Sequence, residues 1–110
     1  MAGWFELKKA SNGQFHFSLK AGNGEIILTS EMYETKASAS NGIASVQKNC
    51  GDNARYKSAT SSNGKFYFSL RAANNQVIAN SQMYGSEAAR DGGIESVKQN
   101  GSTADIRDNS

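Results

Sequence analysis

Apolar and polar residues alternate along much of the chain in short runs, which are separated by turns rich in glycine and asparagine. Phe15, Phe17 and Leu19 alternate with polar residues, a period of two that is typical of a strand with one dry and one wet face. Asn12-Gly13 before this run indicates a hairpin, because both residues tolerate the positive φ of a primed turn. With the internal repeat described below, the pattern predicts seven strands, over residues 4–8, 14–20, 25–29, 54–60, 65–71, 76–80 and 104–107.

Two segments show helical spacing instead. Apolar residues recur every three or four positions over residues 36–49, which predicts a helix, and residues 87–100 form its counterpart. Thr35 or Ser38 is expected to cap the first helix, and Gly51 stands where a left-handed residue would end it. The apolar residues with this spacing are Ala39, Ile43, Val46 and Cys50.

The chain repeats itself at an interval of 51 residues, the separation of Ser11-Asn12-Gly13 from Ser62-Asn63-Gly64. Met32-Tyr33 and Met83-Tyr84 match at the same interval without a gap. A repeated unit is interpreted before any single residue, because repetition decides the architecture. Units of about 50 residues are near the lower limit for folding alone, so we expect the two units to share one core.

The pattern predicts an α+β fold with a single domain over residues 1–110, built of two repeats (about 1–53 and 54–110). Each repeat is interpreted as a β-β-β-α-β unit, and residues 54–60 are expected to end the first unit and also begin the second. The units form one mainly antiparallel sheet. Right-handed crossovers place both helices on one face of it and leave the other face open.

Gly42 and Gly93 occupy the same position in both predicted helices. Glycine inside a helix costs about 1 kcal/mol relative to alanine, so we expect each helix to approach the sheet closely there. Met32-Tyr33 and Met83-Tyr84 allow two interpretations. They either fill the edge of the core beneath each helix or line a pair of symmetric pockets.

Composition and charge restrict the class of protein. Hydrophobic residues make up 37% and charged residues 20%, as in soluble globular proteins, and the net charge of +2 falls short of a concentrated basic patch. Met1-Ala2 and the residues after it lack leader and myristoylation features, and the longest apolar run, residues 26–28, is too short to span a bilayer. We therefore expect a cytoplasmic protein without membrane association, and the lone Cys50 agrees with a reducing compartment. The duplication supplies the partner that one unit would need, so we expect a monomer.

Nothing in the sequence clusters the groups that catalysis needs. His16, the only histidine, lies in mid-strand without a nameable nucleophile or orienting carboxylate, and Cys50 lies at the helix end that does not lower a thiol pKa. One cysteine and one histidine cannot supply four zinc ligands. Glu31 and Glu34 have no acidic counterparts in the second unit, and a strand rather than a helix follows Gly22-Asn23-Gly24, which argues against a phosphate loop. We expect a non-enzymatic binding or structural module with no catalytic residues, cofactor or metal.

Six motifs carry a resemblance to a known family. They are Trp4-Phe5-Glu6-Leu7, Phe15-His16-Phe17-Ser18-Leu19-Lys20-Ala21, Gly24-Glu25, Ser30-Glu31-Met32-Tyr33, Lys36-Ala37 and Gly42-Ile43-Ala44-Ser45-Val46. In their order and spacing they resemble the YegP-like family, small bacterial proteins classed as a domain of unknown function. The resemblance covers essentially the whole chain and implies repeated β3-α-β motifs in one sheet, with terminal strands exchanged between the units and no catalytic residues. The second unit departs from the family pattern at Arg55, Gln76 and Gln82.

The open face of the predicted sheet is the candidate site. Aromatic rings among basic side chains are what single-stranded nucleic acid uses, since bases stack and phosphates pair with cations. Any one-sided sheet carries similar residues in water, however, and Glu6 lies among these cations. Single-stranded nucleic-acid binding is therefore the alternative to a module with an unassigned partner. The candidate residues are Trp4, Lys8, His16, Lys20, Arg55, Lys57, Lys65, Tyr67 and Arg71.

Overall fold

The computed structural model describes residues 3–110, in which seven strands form one sheet that packs against two helices. Both predicted helices have the predicted bounds, α1 at Lys36–Asn49 and α2 at Glu87–Asn100. The sequence reading of Met1 and Ala2 lies outside the described residues. The strands are β1 (Trp4–Lys9), β2 (Phe15–Lys20), β3 (Ile26–Ser30), β4 (Tyr56–Thr60), β5 (Phe66–Arg71), β6 (Val77–Asn80) and β7 (Ile106–Asp108).

The sheet order is β4-β5-β6-β3-β2-β1-β7, and every pairing except that of β1 with β7 is antiparallel. The two halves join where Thr29 of β3 faces Asn80 of β6, two residues separated by the repeat interval. Ser18 faces Thr29 on one side, and Ser69 faces Asn80 on the other. Residues directly opposite one another share a face of the sheet, so these four lie on one face and the phenylalanines next to them in sequence lie on the other.

One apolar cluster contains side chains from both halves of the chain. Phe17 and Phe68 are completely buried in it, as are Ile43 of α1 and Val97 of α2 to within about 1%. Helix α1 packs on β2 of its own half and on β5 and β6 of the other, and α2 packs on β5 and on β2 and β3. Burying each large apolar side chain stabilises the fold by about 1.5–3 kcal/mol. Each helix therefore holds the two halves together.

Strand β4 begins later than expected and has a different role. Residues Asn53–Arg55 form a 3-10 turn, because the side chain of Asp52 accepts a hydrogen bond from the backbone of Ala54 at 2.9 Å. The prediction of a strand over residues 54–60 is therefore wrong at its start. Among the described strands β4 pairs with β5 alone, so it does not also complete the sheet of the first half.

Strand β7 completes the first half instead. It pairs in parallel with β1, with Arg107 opposite Glu6. An ion pair between Lys36 and Asp108 ties its end to the start of α1 and lowers the pKa of Asp108 to about 2. The predicted strand over residues 104–107 is shifted to Ile106–Asp108. The chain after α2 thus crosses to the opposite half of the molecule.

The predicted hairpins form, but with a different turn. In the first hairpin Gly13 donates its backbone N–H to the carbonyl of Ala10 at 3.0 Å. Of the residues in this turn, only Gly13 has a positive φ, of 83°. This is a type I turn followed by a left-handed residue, so the predicted primed turn is wrong. Asn75, with φ of 70°, holds the corresponding position in the last hairpin and confirms that asparagine can replace glycine there.

The capping prediction is confirmed at the start of α1 and wrong at its end. Thr35 is the cap, because its hydroxyl accepts a hydrogen bond from the backbone of Ser38 at 3.1 Å. The prediction of a left-handed stop at Gly51 is wrong, since Gly51 is not among the glycines with positive φ. The helix ends instead at Cys50 in a right-handed conformation, and Cys50 N–H still donates to the carbonyl of Val46.

The helix glycines allow the predicted close approach. A Cβ added to Gly42 would lie 2.5 Å from the hydroxyl of Tyr33 and 2.8 Å from a ring carbon of Phe17. A Cβ on Gly93 would lie 2.7 Å from Cζ of Tyr84 and 3.1 Å from a ring carbon of Phe68. Both glycines therefore leave the space that a phenylalanine and a tyrosine of the same half fill.

We expect Gly93→Ala to lower the free energy of unfolding by about 1–3 kcal/mol, because overpacking outweighs the gain in helix propensity. The neighbouring Gly92, whose added Cβ would meet nothing within 4 Å, provides the matched control. Gly92→Ala should raise the free energy of unfolding by about 0.5–1 kcal/mol. Urea denaturation measures both, and equal effects of the two substitutions would contradict the close approach.

Candidate functional site

The pairing register places most of the candidate residues on the open face. Trp4 faces Lys20, and Lys8 faces His16, on the face that carries Ser18. In the second half, Lys57, Tyr67 and Arg71 alternate with residues that face the core, so they share the face of Ser69. Arg55 and Lys65 lie immediately before β4 and β5. The structure therefore places seven of the nine predicted residues on one face, in two groups, and Arg55 and Lys65 flank the strands of the second group.

Glu6 offsets part of the positive charge of the first group. Its carboxylate pairs with Lys8 at 2.8 Å and with Lys20 at 3.1 Å, and its side chain is only 13% exposed. Hydrogen bonds from Lys8 and then Lys20 lower the pKa of Glu6. Lys8 and Lys20, the two lysines that the prediction named on β1 and β2, therefore share one carboxylate and are only partly available to a polyanion.

Trp4 is covered by a residue from β7. The guanidinium carbon of Arg107 lies 4.1 Å from the centroid of the Trp4 ring, which is the arrangement of a cation–π contact. The indole nitrogen of Trp4 is buried and has no hydrogen-bond partner among residues 3–110. The ring therefore already has a stacking partner on one face.

The second group differs because Lys57 stands where the first half has Glu6. Arg55 replaces Trp4 in the same way, and Arg71 replaces Lys20. Arg55 pairs with Asp52 at 3.5 Å, and Arg71 donates to the side-chain oxygen of Asn75 at 3.3 Å. Within residues 3–110, the salt bridges include none formed by Lys57, Lys65 or Arg71. The half of the face on β4 and β5 is accordingly basic.

A cavity of about 410 Å³ lies between α1 and the hairpin of β5 and β6. Residues of the connection between β3 and α1 line one side of it. At the start of this connection, the backbone N–H of Glu31 donates to the carbonyl of Ile78 at 3.4 Å. Glu31 is the only charged residue of its lining. Asn41 and Gln76 supply amides, and Met32, Val77 and Ile78 supply an apolar wall.

In each Met-Tyr pair, the tyrosine fills the edge of the core and the methionine does not. Tyr33 stacks on Phe17 with ring centroids 6.2 Å apart, and Tyr84 stacks on Phe68 at 6.3 Å, so the tyrosines fill the space beneath the helices. Burial, and next the charge of Glu31, raise the pKa of Tyr33. Met32 and Met83 are 46% and 51% exposed. The prediction that the methionines also fill the core edge is wrong.

The residues considered for catalysis or metal binding lie apart. Cys50 is buried, and burial raises the pKa of its thiol. Nδ1 of His16 is buried without a hydrogen-bond partner in the described chain. Across residues 3–110, no three histidine, cysteine, aspartate or glutamate side chains form a group that could hold a metal ion. Of the helices described, neither has the length and apolar character needed to cross a membrane.

Comparison with known proteins places this arrangement in a family. The family described as a domain of unknown function (DUF1508) matches residues 10–56 and again residues 61–108. The chain belongs to the DUF1508 family. The two matched segments correspond to the two repeats, and the resemblance to YegP-like proteins is confirmed.

Relatives match this DUF1508 chain over nearly its whole length. A UPF0339 protein of Acinetobacter baylyi is 63% identical over 98% of this chain and 97% of the relative. A solution NMR structure of the YegP protein of unknown function from Escherichia coli has a TM-score of 0.94 and 59% identity, over 99% of this chain and 94% of that one. The solution NMR structure of a UPF0339 protein from Shewanella oneidensis has a TM-score of 0.93 and 59% identity, over 98% and 92%. The two solved structures confirm the α+β fold of this chain. The descriptions of these relatives leave its activity open.

Sequence reasoning missed two features of the site. Arg107 was predicted to lie in the last strand, but its contact with Trp4 depends on the crossing of β7 to the first half. Asn41 and Gln76, which line the cavity, come from different repeats. The signal available in the sequence was that Asn41 and Gln76 differ from the residues at the corresponding positions of the other repeat. Those residues are Gly92 and Glu25.

The environment of Glu6 predicts a pH dependence. Because its pKa is lowered in the fold, Glu6 stabilises the protein above the ordinary pKa of a glutamate, and this contribution is lost as the pH falls through the lowered value. We expect Glu6→Gln to make the free energy of unfolding fall less steeply with decreasing pH over that acidic range. Urea denaturation at a series of pH values measures this, with Glu34→Gln as a control at an exposed carboxylate. An unchanged slope in Glu6→Gln would contradict the ion-pair assignment.

Proposed function

We propose that this DUF1508 protein is a non-enzymatic binding module that holds single-stranded nucleic acid on the half of the open face formed by β4 and β5. The observation that carries the proposal is the replacement of Glu6 by Lys57 at the corresponding position of the second repeat. This exchange removes the carboxylate that pairs with both lysines of the first half and adds a cation in its place.

The basic residues of this half are spaced along two neighbouring strands. Lys57 faces Ser69, which lies between Tyr67 and Arg71 on β5, and Arg55 and Lys65 flank the strands. Cations spread along a strand can pair with successive phosphates of an extended chain. Such binding weakens as salt rises, since each phosphate that is neutralised releases a counterion.

Tyr67 supplies a ring on which a base can stack. The residue opposite it on β4 is Ala59, whose methyl group is too small to cover a tyrosine ring. The first half has Lys8 and His16 at the corresponding positions. Stacking of a base on an exposed aromatic side chain contributes about 1–3 kcal/mol and tolerates any sequence.

The absence of an enzyme role is part of the proposal. Cys50 is buried with a raised thiol pKa, and Glu6, the carboxylate nearest to His16 along the strand pairing, is occupied by two lysines. These environments do not provide the paired nucleophile and base that covalent or acid–base catalysis requires. A purely structural protein would share this property, so binding measurements separate the two roles.

Lys57→Glu should weaken binding of a short single-stranded RNA or DNA on the order of tenfold at low salt, because it replaces a cation with the carboxylate that the first half has at this position. Lys48→Glu is the matched control, since Lys48 is an exposed lysine of α1 and the change in net charge is the same. Fluorescence anisotropy at two salt concentrations measures both. No binding by the unmodified protein at low salt, or equal loss in the two variants, would overturn the proposal.

The two aromatic residues should behave differently. Tyr67→Ala is expected to weaken binding about 5- to 100-fold, because the base loses its stacking surface. Trp4→Ala should change binding little, since Arg107 already covers that ring in the less basic half of the face. The same titration tests both variants, and circular dichroism checks that each remains folded. A loss confined to Trp4→Ala would place the nucleic acid on the other half and contradict the proposal.

A further inference from the structure

Both repeats contribute residues to the cavity beside α1. The cavity can therefore be compared with a second location, formed by the residues at the corresponding positions of the two repeats. At the cavity, Glu31 comes from the connection of the first repeat and Gln76 from the facing hairpin of the second repeat. The corresponding pair has the two residue types exchanged, with Gln82 on the connection and Glu25 on the hairpin. Gln82 donates its side-chain amide to the carboxylate of Glu25 at 3.2 Å. That hydrogen bond joins the two sides of the second location.

Glu31 and Gln76 form no such hydrogen bond within residues 3–110. The carboxylate of Glu31 instead accepts from the side-chain amide of Asn80 at 3.3 Å. Asn80 is itself held by the hydroxyl of the buried Ser69, which donates to its side-chain oxygen at 2.7 Å. Thr29 occupies the position of Asn80 in the other half and has no amide to offer. Asn80 thus holds one oxygen of the Glu31 carboxylate, and within residues 3–110 no hydrogen bond is made to the second oxygen.

The helix has diverged in the same direction. Asn41 and Ser38 line the cavity, whereas the corresponding residues of α2 are Gly92 and Ala89. The side-chain amide of Asn41 has no hydrogen-bond partner within the described chain. At these two positions α1 therefore supplies polar side chains and α2 supplies none, which is not expected if both locations merely close the edge of the core.

We propose that this cavity binds a small organic cation, with an ammonium or guanidinium head on Glu31 and a short apolar stem along Met32, Val77 and Ile78. A charge-assisted hydrogen bond is the strongest polar contact that the lining offers, because Glu31 is its only charged residue. Gln76 and Asn41 can accept the remaining donors of the head. A volume of about 410 Å³ lies within the range of small-molecule sites.

The head can be carried by a free amine or by a lysine side chain. Titrations with n-butylammonium and with Nα-acetyl-lysine methylamide separate these sources, and n-butanol and butyrate test the need for positive charge. Backbone amide NMR spectra of the whole protein should show saturable shifts for Gly42, Ser45 and Ile78 with one or both cations. Butanol and butyrate should bind at least tenfold more weakly.

Glu31→Gln should weaken binding of the cation on the order of tenfold while leaving the spectrum of a folded protein. Glu25→Gln removes the same charge at the corresponding hairpin position and should leave the affinity unchanged. Asn41→Ala provides a second test that keeps every charge, and it should weaken binding several-fold. Equal affinities of the Glu31→Gln and unmodified proteins, or equal binding of butanol and butylammonium, would overturn the proposal.

Discussion

The structure depends on the burial of one apolar surface that neither half of the chain could cover alone. Phe17 and Phe68 lie completely buried beneath α1 and α2, and each helix also packs on strands of the opposite half. The helices can lie this close because Gly42 and Gly93 have no side chain. Pairing of β3 with β6 makes the two sheets continuous, so one core with the size of a domain replaces two that would be marginal.

That shared core leaves the other face of the sheet free to change. The backbones of the two halves correspond, yet Glu6 pairs with Lys8 and Lys20 in one, while Lys57 extends a basic surface in the other. Side chains on the open face contribute little to the core, so exchanging their charges costs little stability. The cavity shows the same freedom, because Glu31 and Gln76 exchange positions with Gln82 and Glu25 without altering the helix beside them. Corresponding positions with different charges are therefore where the two halves can acquire different roles.

The two solved relatives, from Escherichia coli and Shewanella oneidensis, share this architecture at 59% identity over nearly the full chain. Their agreement concerns the fold, which follows from the buried residues. Binding follows from the open face and the cavity, where the charges lie. Physical tests of these two surfaces address function more directly than further comparison of the fold.

Local pattern in the sequence determined a large part of the architecture. The helices have the predicted bounds, because helical spacing and the N-cap Thr35 act within a few residues of one another. The face assignments of β1, β2 and β5 were also predictable, since alternation with Phe5, Phe17 and Phe68 decides which neighbours face water. The repeat made the candidate residues of the open face predictable in the same way.

Only the tertiary structure decided the contacts between distant segments. Parallel pairing of β7 with β1 brings Arg107 onto Trp4, and no periodicity within either segment specifies that partner. The position of Glu31 at a cavity depends on Asn80 and on the opposite hairpin, which lie about one repeat away in the chain. Local patterns encode which side of an element is buried, whereas the pairing of remote elements is selected by the free energy of the assembled core.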